Sequence, residues 1–178
     1  QVVHRAGEMA FRLENQARDF FSTLQFFISE QREGKPQSQY AYQERILPSS
    51  RTLARWDEVE IAWSGSGETL RLLLNCIAEI YKTASDLYAD GHDELEDING
   101  SISSIYRRLS EAENNISGMI HDPSPDTIYW IEIQPNGNRL SLQAAPLRVG
   151  PLIEKYLWHE KNCIILASAT LTANGDFN

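Results

Sequence analysis

A chain of 178 residues can bury one sizeable core and carry a small appended unit, but it is too short for a complete two-lobed motor. With 42% hydrophobic and 23% charged residues it has the composition of an ordinary soluble protein, and no apolar run reaches the roughly 18 residues that a membrane span requires. The net charge of -9 is uneven: residues 1 to 56 hold eight Lys/Arg against six Asp/Glu, residues 57 to 126 four against fifteen, and the rest four against four. The acidic middle repels phosphate backbones at long range, which excludes a broad nucleic-acid surface there and directs any DNA contact elsewhere.

The opening residue is Gln1, with no apolar segment or cleavage site of a signal peptide behind it, so the chain reads as part of something longer and as cytoplasmic. Cys76 and Cys163 lie far apart in different apolar patterns, which predicts reduced, buried thiols rather than a disulfide or a metal knuckle.

In chain order, Ala6, Met9, Leu13, Ala17, Phe20, Leu24 and Phe27 recur at helical spacing until Glu33, Gly34, Lys35 and Pro36 stop the pattern. Tyr40 to Leu47 is expected to be a short extended piece ending at Pro48. Arg51 to Trp63 is expected to be a short helix with Leu53, Trp56, Val59 and Trp63 on one side. A longer helix follows through Leu70, Leu73, Leu74, Ile77, Ile80, Tyr81, Ala84, Leu87 and Tyr88. After a turn at Asp90, Gly91 and His92 comes its antiparallel partner, with the seam Leu95, Ile98, Ile102, Ile105, Leu109, Ala112, Ile116 and Met119.

Two prolines, Pro123 and Pro125, end the helical texture and place a domain boundary between residues 122 and 123. Beyond it, Ile128 to Ile133 and Arg139 to Ala144 read as a β-hairpin turning at Pro135, Asn136, Gly137 and Asn138. Val149 to Trp158 reads as a short helix. The apolar run Cys163 to Ala167 has the pattern of a strand buried on both faces of a parallel sheet. The expected fold class is therefore mainly α: a long-helix bundle followed by a small α/β segment with a β-hairpin and one buried parallel-type strand. A strand of that kind without its neighbours is expected to fray or to self-associate along the truncated sheet edge.

Chemistry-bearing patterns are sparse. Gly34 and Lys35 are followed by Pro36 and lack the upstream glycine of a phosphate loop, so this chain by itself is not expected to cradle ATP. Asp57, Glu58 and Glu60 follow Arg55 and Trp56 rather than an apolar strand, and read as a solvated helix face. Asp93, Glu94, Glu96 and Asp97 open a helix, where carboxylates complement the dipole. His4, His92, His121 and His159 share no short spacing, so no metal site is expected. The glycosylation-like triplets at Asn99 and Asn115 read as chance matches. Ser168, Ala169, Thr170, Leu171 and Thr172 end the last apolar run with small hydroxyl residues, placed where ligands bind at the carboxyl edge of parallel sheets; turns and caps use the same residues.

The stretch Leu142-Gln143-Ala144-Ala145-Pro146-Leu147-Arg148-Val149-Gly150-Pro151-Leu152, followed by Ile164-Ile165-Leu166-Ala167-Ser168-Ala169-Thr170-Leu171-Thr172, resembles the DinG branch of the XPD-like superfamily 2 DNA helicases. In that family the Ser-Ala-Thr-Leu box is motif III, which implies that Ser168, Ala169, Thr170 and Leu171 help couple ATP turnover to DNA movement. The resemblance further implies that residues 1 to 122 are the helical Arch insertion, guiding single-stranded DNA, and that residues 123 to 178 are the end of the first motor domain. Arg45, Arg51 and Arg55 are nominated as the DNA-contacting edge. ATP and Mg2+ are expected for the full-length parent, in a DNA-repair setting, and not for this fragment. The four cysteines of the family's iron-sulfur cluster are not in this chain, which leaves open whether the parent has one. The resemblance, and not any residue of this chain, implies 5′ to 3′ unwinding by the parent. The alternative is a stand-alone helical protein-interaction module; an exonuclease module ranks last, because the acidic residues lie on helices.

Overall fold

The computed structural model describes residues 1–32, 42–89, 92, 95–134 and 139–165, and the chain divides into two compact units, 1–145 and 146–178. The first holds three long helices and a small sheet: α1 (Val2–Gln31), α2 (Ala54–Ala89) and α3 (Glu96–Ile120) with β1 (Tyr42–Arg45), β2 (Thr127–Ile133) and all but the last residue of β3 (Leu140–Pro146). At about 1.5 Å per residue, α2 is roughly 54 Å long and α3 roughly 37 Å. Both α1 and α3 pack along α2 and hardly touch each other.

The apolar spacing explains which ends meet. Phe20, Leu24, Phe27 and Ile28 of α1, Trp56, Val59, Trp63, Leu70 and Leu74 of α2, Met119 and Ile120 of α3, and Ile131 and Ile133 of β2 form one core. It runs from the sheet along the end of α1 and along α2 as far as Leu74, with the end of α3 joining it. Phe27 meets the Trp56 ring edge-on at 5.2 Å, and Phe20 lies tilted against Trp63 at the same distance, geometries that aromatic quadrupoles favour. Further along the helices the seam is less covered: Ile98 and Ile105 stay about half exposed.

Several expectations change. The short helix over Arg51 to Trp63 and the following longer one are a single helix, α2, preceded by a 3-10 turn, Pro48–Thr52, which contains Arg51. The Ser64-Gly65-Ser66-Gly67 stretch does not break it: Gly65 and Ser66 sit against Gln16 of α1, and Gly67 lies under the Trp63 ring. Ser66 is fully buried, and its one hydroxyl proton lies between two acceptors, the Ala62 carbonyl at 2.9 Å and the Gln16 carbonyl at 3.2 Å. The helix thus bonds to its neighbour through the positions that cost it intrinsic propensity.

The larger correction concerns the sheet. The strands form a three-stranded sheet in the order β1-β2-β3, with β1 antiparallel to β2 in the register Tyr42↔Ile133, Glu44↔Ile131 and Arg45↔Trp130. The extended piece before Pro48 thus joins the hairpin as a third strand. Gln134 N–H donates to the Arg139 carbonyl at 3.0 Å and closes the hairpin.

No parallel strand is present among the described residues, which overturns the expected buried parallel-type strand. Residues 163 to 165 adopt no strand, Ile165 is 90% exposed and Cys163 is exposed, not buried. A short apolar run can fill a strand only where a ladder partner exists, and residues 163 to 165 pair with none of the described strands. In the second unit the expected short helix is present as one α-helical turn, Gly150–Ile153, continuing into a π-helical turn, Glu154–Trp158. No helix among the described residues is long and apolar enough to cross a membrane.

Candidate nucleic-acid interface

The three nominated arginines lie close in sequence but occupy three different environments. Arg51, in the 3-10 turn, is partly buried: Nη1 donates to the Ile120 carbonyl at 3.1 Å, and the guanidinium lies 5.0 Å from the Trp56 ring centroid and 5.8 Å from that of Tyr129. It therefore caps the carboxyl end of α3, where a cation suits the helix dipole. Burial lowers its pKa, opposed by Tyr129 and Glu60, and Nη2 is buried with no hydrogen-bond partner.

Arg55, at the start of α2, is held by carboxylates. Nε and Nη2 each donate to Glu30 of α1 at 2.7 Å in a bidentate pair, and Nη1 reaches Glu58 at 3.2 Å. The hydrogen bond to Glu30 is the first cause of its raised pKa, followed by the charges of Glu30 and Glu58. Its fork is already filled in the geometry a phosphate would need.

Arg45 differs. It is exposed on β1, and among the described residues it has no ionic or hydrogen-bonding partner. Strand alternation assigns its face: Tyr42, Tyr129, Ile131, Leu140 and Leu142 turn to the core, so Gln43 and Arg45 share the opposite face with Trp130, Glu132, Ser141 and Gln143. Two hydrogen bonds along this outer face, Gln134 Nε2 to Glu132 at 3.4 Å and Gln143 Nε2 to Ser141 at 3.3 Å, agree with that assignment. The strands bring Trp130 and Gln43 beside Arg45, two residues that sequence reading did not nominate. The only available signal was the alternation within Ile128–Ile133, because the pairing partner lies more than eighty residues away.

Ser168, Ala169, Thr170 and Leu171 lie outside the described residues. Of the acidic residues weighed, Asp57 and Glu58 are exposed, while Glu60 is half-buried and accepts a 3.0 Å hydrogen bond from Trp56 Nε1. Glu96 and Asp97 occupy the first turn of α3, and Asp93 and Glu94 lie outside the described residues. Among the described residues no three His, Cys, Asp or Glu side chains converge as metal ligands.

Over 125 residues, 65% of its length, the chain is 26% identical to the 3'-5' exonuclease DinG of Bacillus subtilis (strain 168). The similarity is distant, and the chain spans 13% of the length of that relative. No protein-family model matches the chain. No solved structure matches it either.

Proposed function

We propose that the chain is an internal part of an ATP-dependent DNA helicase of the DinG/XPD type in superfamily 2. Residues 1 to 122 form its Arch-like insertion and residues 123 to 178 the end of its first motor domain. The observation that carries this reading is the 26% identity to DinG over 125 residues. The Ala-Pro-Leu segment from Ala145 and the Ser168-Ala169-Thr170-Leu171 box, in family order after a helical insertion, add to it. The two long antiparallel helices α2 and α3, rooted beside a small sheet, suit an arm that closes over a translocating single strand.

In this reading Ser168 and Thr170 relay nucleotide state from a cleft completed by the parent, which binds ATP and Mg2+. The nuclease activity in the relative's name is not assigned to this chain: two-metal cleavage needs clustered carboxylates, and no such group occurs among the described residues. A second reading, a helical interaction module, draws on the exposed Phe11, Phe26 and Ile61.

ATP hydrolysis by the full-length parent, with and without single-stranded DNA, separates the two. DNA-stimulated hydrolysis that falls in Ser168→Ala and Thr170→Ala, with none in this chain by itself, is expected. A parent without ATPase activity leaves the interaction module.

A further inference from the structure

We infer that the outer face of the β1-β2-β3 sheet is a docking platform for single-stranded DNA, with Trp130 stacking on a base and Arg45 and Arg139 meeting the phosphates. The inference rests on the helicase reading and gives it a specific contact surface.

Ile46 N–H donates to the Tyr129 carbonyl at 3.0 Å, so Ile46 and Tyr129 are a hydrogen-bonded pair and their neighbours Arg45 and Trp130 a non-hydrogen-bonded one. Side chains of such pairs stand closest, with Cα atoms about 4.5 Å apart. The register thus sets an exposed guanidinium on the strand position facing a half-buried indole of the central strand, both on the side away from the core. The indole Nε1 is buried without a hydrogen-bond partner, so stacking and not an N–H bond is what the ring can offer. Arg139, two residues before Ser141, is exposed and falls on the same side by alternation.

Arg45 and Arg139 against Glu132 give this face a charge of +1, while residues 57 to 126 carry -11. A polyanion is therefore steered away from the helices and toward the sheet. Gln43 and Gln143 add amides that both donate and accept, as base edges require. An aromatic ring among arginines and amides suits unpaired bases, whose faces are free to stack; a duplex hides them.

The test is fluorescence anisotropy of a labelled oligothymidylate of about 20 nucleotides with this whole chain, titrated with salt from about 50 mM. Arg45→Glu and Trp130→Leu are each expected to weaken binding about tenfold, while Trp130→Phe keeps most of it. Arg45→Glu should also flatten the slope of log affinity against log salt by about 0.7. Arg107→Glu, on α3 and away from this face, should change affinity less than about twofold. If Trp130→Leu does not fold by circular dichroism, Arg45→Glu and Arg139→Glu, both at exposed positions, decide the matter.

Wild-type affinity in the two charge reversals overturns the platform, as does equal competition by a duplex of the same length or no binding by the unaltered chain. None of these results touches the helicase reading, which DNA-stimulated ATPase activity of the parent decides separately.

Discussion

Arg51 Nη1 donates to the carbonyl of Ile120 at 3.1 Å, so a residue from the turn before α2 closes the last turn of α3, sixty-nine positions later. The bond ties together the root of both long helices, and Trp56 and Tyr129 hold the guanidinium from α2 and β2. Arg51→Ala removes a charge-assisted hydrogen bond and its stacking contacts and is expected to cost about 1–3 kcal/mol in urea unfolding. Arg51→Met should cost less, because it keeps the apolar stem and relieves the desolvation borne by a guanidinium whose Nη2 has no partner. Equal losses in the two variants would show that the charge, and not the stem, holds the joint.

Arg55 and Glu30 are expected to stabilise the α1–α2 contact in a salt-dependent way, since the pair is bidentate but each side chain is more than a third exposed. In a double-mutant cycle of Arg55→Ala and Glu30→Ala the coupling should shrink between low and high salt. The raised Arg55 pKa means its contribution is fully present below its unfolded-state value and is lost only as pH rises through the folded one, above the neutral range. Deprotonation of Arg55 therefore adds no slope to stability between pH 6 and 9. For DNA, Arg55→Ala should change affinity much less than Arg45→Glu, because the Arg55 fork is already occupied by carboxylates.

Gly65 marks where sequence and structure part. A methyl group there would meet Gln16 Nε2 at 3.7 Å, an ordinary contact, so Gly65→Ala should stabilise the chain by about 0.5–1 kcal/mol through lower unfolded-state entropy and better helix propensity. Ser66→Leu should instead destabilise it by about 2 kcal/mol or more, because that fully buried position has no room and its hydroxyl serves Gln16 and Ala62. Thermal melts of both variants provide the check.

The same stretch explains what was legible. The Leu95–Met119 seam announced α3, because a periodic pattern is a local property, and the spacing from Ala6 to Phe27 did the same for α1. Continuity of α2 was hidden because Ser64-Gly65-Ser66-Gly67 has the local chemistry of a break, and packing on α1 overrides it. The pairing of β1 with β2 was hidden for a related reason: a ladder over residues 42 and 133 leaves no mark in either segment. The run from Cys163 shows the opposite error: residues 163 to 165 are apolar yet form no strand, because hydrophobicity does not supply a ladder partner. Charge alone nominates Arg45, Arg51 and Arg55 alike. The features that set Arg45 apart from Arg51 and Arg55 are tertiary, namely what each guanidinium touches.

The two cysteines should react in sequence. Cys163 is exposed, whereas Cys76 is 3% exposed and its Sγ accepts a 3.2 Å hydrogen bond from Arg5 Nε, with Arg5 Nη2 paired to Glu79 at 2.8 Å. A colourless-to-yellow thiol reagent added to the native chain is therefore expected to modify Cys163 quickly, and Cys76 only when α1 separates from α2 or the chain unfolds. Arg5→Ala removes the hydrogen bond covering Sγ and should speed the slow phase without altering the fast one. Since Arg5 lies at the start of α1, the slow rate reports opening of the far end of the α1–α2 pair, a region the main core does not reach. If both thiols of the native chain reacted at one rate, the α1–α2 contact around Cys76 would be open in solution, and the pairing of Arg5 with Glu79 would not hold it.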